Sequence, residues 1–217
     1  MSMTRTRAGA VALAAAGLLF ILYPATRPWA DETTMAGATE AMSSPAWVAS
    51  HLFAMIGFIL LPLGLLTLPD AMRHGRGGPL ALAAAVTTWI GAGLTLPYYG
   101  AEDFGLHAIA TRVADGQPID LLDLAETVRF QPAAATTFGI GLVTLAVGAV
   151  MAGIAIWRSG VLPRYSGIPL AAGFVLFLPQ FFTPPAVRIT HGVLVGIGCA
   201  WVAVTLWRAA NHPPRHP

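Results

Sequence analysis

The segment WVASHLFAMIGFILLPLGLLTL, residues 47–68, carries no Asp, Glu, Lys or Arg from end to end. A helix needs about 20 apolar residues to cross the hydrocarbon core of a bilayer, so this run predicts a transmembrane helix. Ser44 and Pro45, shortly before it, are typical of an N-cap followed by proline at the first helical position. Pro62 lies inside the run and is expected to kink it, which buried membrane helices tolerate.

Five more runs of the chain meet or approach the same length. The complete set of predicted spans is 8–23, 47–68, 79–99, 133–157, 167–183 and 189–207. The first follows Arg5 and Arg7, an arrangement that also describes a secretory signal peptide. Residues 24–30 contain no clean small-x-small cleavage step, so we expect the first helix to be retained.

The composition supports the same class of protein. Hydrophobic residues make up 56% and charged residues 10% of the chain, whereas a soluble domain carries about 25% charged residues. We therefore predict a single integral membrane domain over residues 1–217, an all-α polytopic bundle of six transmembrane helices. All 12 basic residues are arginines, and they are too few and dispersed for nucleic-acid binding. Arginine without lysine, with abundant Ala and Gly, is typical of a bacterium with a GC-rich genome.

The charges predict which side of the membrane each connecting segment faces. Eight arginines and one acid fall on one predicted side, and four arginines and nine acids fall on the other. Because cytoplasmic segments carry the excess of basic residues, the first side is predicted to be the cytoplasm. This side holds Arg5, Arg7, Arg73, Arg76, Arg158, Arg164, Arg208 and Arg215. Both termini are then cytoplasmic, and the protein is predicted to reside in the bacterial cytoplasmic (inner) membrane.

Two predicted outer segments are long. Residues 24–46 are polar and rich in small side chains, which predicts an irregular loop. Residues 100–131 instead show apolar side chains at helical spacing, at Leu106, Ile109, Ala110 and Val113 and again at Leu121, Leu124 and Val128. This segment is therefore predicted to form two short amphipathic helices on the outer surface of the membrane.

Three histidines fall near the outer ends of predicted spans. His51 and His191 lie a few residues into their runs, and His107 follows the run that ends at residue 99. Asp103 precedes His107 by four residues, so a helix places both on one face. Imidazole and carboxylate groups are zinc ligands, and three histidines with one carboxylate would complete a tetrahedral site. We predict a divalent metal ion, with zinc as the leading candidate, at His51, Asp103, His107 and His191.

Hydrolysis is the chemistry that such a site predicts when one coordination position is left to water. The metal would activate that water, and Glu102 or Glu126 would serve as the catalytic base. The substrate, or a ligand that is only bound, would be a lipid or a small periplasmic molecule at the membrane surface. No motif such as HExxH accompanies these residues, so their spacing identifies no family.

Two other interpretations of the histidines stay open. Histidines at the ends of spans can be hydrogen-bonded to backbone or water without any ligand. His51 and His191 on facing helices could also hold a single haem, with Met55 as an alternative axial ligand.

Two non-enzymatic classes complete the alternatives. The middle of every predicted span lacks Asp, Glu, Arg and His, which disfavours ion-coupled transport and leaves a neutral-solute channel open. A membrane scaffold or partner subunit would use residues 100–131 for docking. The glycines around positions 91–93 and 139–148 predict closely packed helices for a channel and for a scaffold alike.

Overall fold

The computed structural model describes residues 3–211, which are mostly helical and contain no strand. The α-helices are α1 (Met3–Thr26), α2 (Met35–Met42), α3 (Pro45–Leu65), α4 (Leu68–Ala71), α5 (Gly78–Gly100), α6 (His107–Ala114), α7 (Leu121–Phe130), α8 (Pro132–Ser159), α9 (Ile168–Val175) and α10 (Pro185–Asn211). A π-helical turn, Ala101–Leu106, joins α5 to α6, and a 3-10 helix, Pro179–Phe182, precedes α10. The predicted cytoplasmic Arg215 and the C-terminus lie outside the described residues.

Within residues 3–211, five helical stretches are long and apolar enough to cross a membrane. They are Met3–Thr26, Pro45–Ala71, Gly78–Ala114, Pro132–Ser159 and Pro185–Asn211. Helices satisfy their backbone groups internally, so several of them on one chain indicate a multi-pass protein of a lipid bilayer. These stretches correspond to five of the six spans predicted from the sequence.

The remaining predicted span, 167–183, is not one continuous helix. Helix α9 ends at Val175 after 8 residues, and the 3-10 helix begins at Pro179. Pro179 has no N–H, and its ring conflicts with the carbonyl of Val175 four residues earlier, so an α-helix cannot continue through it. The expectation of an uninterrupted apolar helix here was wrong.

The connecting segments are more helical than predicted. Thr34 Oγ1 accepts a 3.1 Å hydrogen bond from the N–H of Gly37 and so caps α2. The predicted irregular loop 24–46 therefore contains a helix, which the alanines of MAGATEAM favour. Helices α6 and α7 occupy the predicted amphipathic segments, but α6 continues α5 through the π-helical turn instead of standing apart. Gly116, with a φ of 86°, ends that stretch.

Local capping fixes the start of α3 where the sequence predicts it. Ser44 Oγ accepts a 3.2 Å hydrogen bond from the N–H of Trp47, and Pro45 occupies the first turn. The helix continues past Pro62 to Leu65. Trp47 and His51 thereby lie one turn apart at the beginning of the helix.

The two ends of the bundle differ in their side chains. Arg7 Nη2 donates a 2.6 Å hydrogen bond to Asn211 Oδ1, so α1 begins where α10 ends. Arg27, just after α1, and Arg188, in the first turns of α10, both stack against Trp29. We call these the Arg7 end and the Trp29 end.

Helices α5 and α8 pack closely through glycines. A Cβ added at Gly91 would lie 2.6 Å from the backbone nitrogen of Leu145, and one at Gly148 would collide with the hydroxyl of Thr88. No side chain larger than hydrogen fits at either position without a shift of the partner helix. The close packing predicted from these glycines is confirmed here, whereas Gly93 and Gly139 face open space.

The short helices form a second apolar cluster around the buried ring of Trp47. It consists of Ala38, Ala41, Met42, Trp47, Leu106, Ala110, Leu121 and Ala125. Helices α2, α6 and α7 are therefore held against the Trp29 end rather than extended as free loops.

Candidate functional site

A cleft with a volume of about 470 Å³ lies at the Trp29 end of the bundle. Small-molecule sites have volumes of about 300–1,000 Å³, so the cleft is large enough for a ligand. Its lining residues with a carboxylate, guanidinium or imidazole group are Arg27, Glu32, His51, Glu102, Arg129 and Arg188. Much of the remaining wall is aromatic and includes Tyr98, Phe138, Phe181 and Phe182. A cleft that is lined by both charged and aromatic side chains suits a molecule that has both a polar and an apolar part.

Four of the charged residues form a continuous ion-pair network, Arg27–Glu32–Arg129–Glu102. Arg27 Nη2 lies 2.5 Å from Glu32 Oε1, and Arg129 Nη2 lies 2.9 Å from Glu32 Oε2. Arg129 also makes a bidentate contact with Glu102, at 2.5 Å from Nε to Oε1 and 3.0 Å from Nη2 to Oε2. The network joins the end of α1, the following loop, the π-helical turn and α7.

Ion pairing shifts the pKa values of Glu32 and Arg129 toward their charged forms. Burial alone would raise the pKa of Glu32, but Arg27 and Arg129 outweigh burial and lower it below its ordinary value of 4.5. Burial alone would lower the pKa of Arg129, but Glu102 and Glu32 outweigh burial and raise it. With two guanidinium and two carboxylate groups, the network carries no net charge at neutral pH.

Arg188 stands outside the ion-pair network. Its guanidinium carbon lies 4.8 Å from the ring centroid of Trp29 and 5.2 Å from that of Phe181. Arg188 Nε donates to Gln180 Oε1 at 3.2 Å, and Gln180 is itself buried. The arginine is thus held by aromatic rings and one amide instead of by a carboxylate.

His51 contributes an imidazole to the cleft. Its Nδ1 lies 2.8 Å from the carbonyl oxygen of Trp47, one turn earlier in α3. A carbonyl only accepts hydrogen bonds, so Nδ1 carries the proton and donates it. The ring packs against Trp47 at a centroid distance of 4.4 Å and is flanked by Tyr23 and Tyr99 at 5.9 Å each.

The other two predicted histidine ligands point to separate carbonyl groups. His107 Nδ1 donates to the carbonyl oxygen of Met42 at 2.8 Å, which ties α6 to α2. His191 Nε2 donates to the carbonyl oxygen of Gly173 at 2.7 Å, which ties α10 to α9. Neither residue lines the cleft that contains His51.

Residues 3–211 contain no group of three or more His, Cys, Asp or Glu side chains that could hold a metal ion. The zinc site at His51, Asp103, His107 and His191 and the catalytic role of Glu126 therefore stay predictions, and Glu126 is exposed on α7 outside this cleft. The observed hydrogen bonds instead match the alternative in which each histidine bonds to backbone. A haem between His51 and His191 likewise stays a prediction, and both rings already bond to carbonyl groups.

The π-helical turn gives its two acids different surroundings. Glu102 lines the cleft and pairs with Arg129, while its carbonyl oxygen accepts a 2.9 Å hydrogen bond from Trp47 Nε1. Asp103 is completely buried, and neither of its carboxylate oxygens has a hydrogen-bond partner within the described part of the chain. Single π-helical turns often occur at functional sites, and this one supplies the acid that completes the network.

Sequence reasoning identified Glu102 and His51 but missed most of the cleft. It counted Arg27 and Arg129 only as outer charges for the topology. The missed signal was that aromatic doublets, Tyr98–Tyr99 and Phe181–Phe182, lie at the same predicted outer ends of apolar runs as these arginines. Aromatic side chains next to arginine commonly form cation–π contacts, which is how Arg188 is held here.

No protein-family model, curated protein or solved structure matches this chain.

Proposed function

We propose that this protein binds a membrane lipid in the cleft at the Trp29 end. The observation that carries the proposal is the cleft itself, in which a charged network and an aromatic wall enclose about 470 Å³. A lipid has the matching division into a polar head group and apolar tails. A soluble polar metabolite would leave the aromatic wall without a partner, and a hydrocarbon would leave the guanidinium of Arg188 without an anionic one.

The position of exposed phenylalanines supports an entrance from the bilayer. Phe130 and Phe182 line the cleft, yet their side chains are 69% and 86% exposed. Two large aromatic rings at the mouth of one cleft would be unfavourable in water but favourable against lipid. The ligand would then enter sideways from the membrane rather than from the aqueous phase.

The same proposal includes a topology of six crossings. Helix α8 ends at Ser159, which accepts a hydrogen bond from the N–H of Arg76 at the Arg7 end. Helix α10 begins at the Trp29 end, so residues 160–184 must connect opposite ends of the bundle. We assign the sixth crossing to α9 and the 3-10 helix, since broken helices are tolerated where other protein segments surround them.

We further propose that the Trp29 end faces the periplasm of a bacterial inner membrane. The support is the distribution of charge, because seven arginines in the described residues belong to the Arg7 end, with Asp70 as their only acid. Basic residues accumulate on the cytoplasmic side of a membrane protein. Helices α6 and α7 would then cover the outer mouth of the bundle.

A pair of glycine variants tests whether the cleft is the binding site. Gly139 lines the cleft and Gly93 does not, yet a Cβ at either glycine meets no atom within 4 Å. Gly139→Trp therefore fills the cleft, and Gly93→Trp adds the same side chain on another surface. We expect native mass spectrometry of the detergent-solubilised protein to show phosphatidylglycerol adducts on wild type and Gly93→Trp, and at least tenfold weaker binding to Gly139→Trp. Equal binding to all three proteins would overturn the proposal.

A further inference from the structure

We infer that Arg188 is the receptor for an anionic lipid head group, and that its guanidinium binds a phosphate oxyanion through both terminal nitrogens. This inference rests on the proposed function, because it names the chemical part of the lipid that the cleft selects. The occupant is thus a phospholipid supplied by the surrounding bilayer.

The charge balance of the cleft leaves Arg188 without a counter-ion. Arg27 and Arg129 are both paired with Glu32, and Arg129 is also paired with Glu102. No ion pair found within residues 3–211 includes Arg188. The five charged side chains of the cleft therefore sum to one positive charge, which a monoanionic phosphodiester would neutralise.

The contacts of Arg188 leave one edge of its guanidinium unused. Trp29 and Phe181 lie within cation–π distance of the group, and Gln180 accepts from Nε. Nη1 and Nη2 make no hydrogen bond to any residue of the described range. A planar guanidinium with two free, parallel N–H donors is suited to bidentate recognition of a phosphate.

The arginine is also held in place before any ligand arrives. Gln180 is buried at 6% exposure and precedes Arg188 by 8 residues, on the 3-10 helix that follows the break at Pro179. The interruption of the helix thus has a consequence for the cleft, since it presents Gln180 to Arg188 and Phe181 to the cleft wall. A preorganised guanidinium loses less conformational entropy when it binds an anion.

Head-group selectivity provides the test. Dissociation constants of phosphatidylglycerol and of the diacylglycerol with the same acyl chains are measured by native mass spectrometry on wild type, Arg188→Gln, Arg188→Lys and Arg112→Gln. Arg112 is an exposed arginine of α6 outside the cleft and serves as the charge-matched control. We expect wild type and Arg112→Gln to prefer phosphatidylglycerol about tenfold or more, the size of a lost charge-assisted hydrogen-bond pair.

Arg188→Gln should lose this preference while it still binds diacylglycerol. Arg188→Lys keeps the positive charge without the two parallel N–H donors, so it should retain only part of the preference. It also provides a second test if Arg188→Gln does not express. Equal affinity of wild type for the two lipids, or an unchanged preference in Arg188→Gln, would overturn the inference and leave lipid binding in the cleft intact. A full preference in Arg188→Lys would overturn the bidentate contact. Absence of binding of either lipid to wild type would overturn the proposed function itself.

Discussion

Arg129 Nε donates a 2.5 Å hydrogen bond to Glu102 Oε1 and so joins α7 to the π-helical turn, 27 residues earlier in the chain. Because Arg129 also contacts Glu32, its removal would leave two partly buried carboxylates without their shared partner. Breaking a buried pair by removing one member costs about 3 kcal/mol or more. We therefore expect Arg129→Met to lower the free energy of unfolding by about 3 kcal/mol, measured by chemical denaturation in detergent.

Arg112→Met is the matched control for this change. Arg112 is exposed on α6, and no ion pair found within residues 3–211 includes it. The control should change the unfolding free energy by less than about 0.5 kcal/mol, as surface substitutions usually do. Equal stability of the two variants would show that the network does not hold α7 in place.

The stability of the protein should fall in acid because of Glu32. Arg27 and Arg129 lower the pKa of Glu32 below 4.5 despite its burial. A carboxyl group whose pKa is lower in the folded state contributes its stability above the pKa of the unfolded chain, and this contribution disappears as the pH falls through the folded-state pKa. The thermal midpoint of wild type should therefore drop as the pH falls from about 5 downward.

Glu32→Gln isolates that contribution. The variant cannot ionise at this position, so its thermal midpoint should be lower than that of wild type at pH 7 and should depend less on pH below 5. Glu40→Gln is the control, since Glu40 forms no ion pair within the described residues. Parallel pH profiles for wild type and Glu32→Gln would contradict the assignment.

Helix packing between α5 and α8 gives a prediction that is independent of the cleft. Gly91 touches the backbone of α8 at Leu145, whereas Gly93 two residues later faces open space. Gly91→Val should destabilise the protein by about 1–3 kcal/mol through overpacking, and Gly93→Val should be close to neutral. Thermal unfolding of the two variants in the same detergent compares them directly, and a Gly93→Val variant that is the less stable of the two would disprove the observed packing of α5 on α8.

Asp103 is expected to reduce stability rather than increase it. Both of its carboxylate oxygens are buried without a hydrogen-bond partner among the described residues, which is costly for a polar group. Asp103→Leu replaces the carboxylate by an apolar side chain with the same branching at Cγ and removes that cost, so its thermal midpoint should rise. The exposed Asp115, at the C-terminal end of α6, provides the control variant Asp115→Leu. A lower midpoint for Asp103→Leu would mean that the carboxylate has a partner in the membrane.

The sequence predicts the membrane class and most of the helices because both follow from local signals. An uncharged apolar run such as 47–68 is stable in lipid as a transmembrane helix. Ser44 and Pro45 determine where that helix starts. The run 167–183 was mispredicted as one helix because hydropathy does not register the backbone conflict that Pro179 creates. The helix within 24–46 is harder to predict, because small side chains such as Ala36, Ala38 and Ala41 are common both in loops and in helices.

The cleft was harder to predict because its residues come from distant parts of the chain. Glu32 and Arg129 are 97 residues apart, and only the packing of α7 beside the loop after α1 brings them together. The three histidines drew attention as rare polar groups near span ends, but each one bonds to a carbonyl group that no sequence pattern identifies. Of these histidines only His51 lines the cleft, and the arginines that line it with His51 are not rare in the sequence.

Photo-crosslinking with a phosphatidylglycerol that carries a diazirine in one acyl chain measures directly where the lipid lies. All lipid-facing helices will be labelled to some degree, so the decisive quantity is the labelling that an excess of unlabelled phosphatidylglycerol removes. We predict that peptide mapping finds this competable label on the peptides that contain Phe138 and Phe182, and that Gly139→Trp abolishes it. Competable label confined to outward-facing positions such as Trp89 and Ile90, with none in the cleft, would contradict the account.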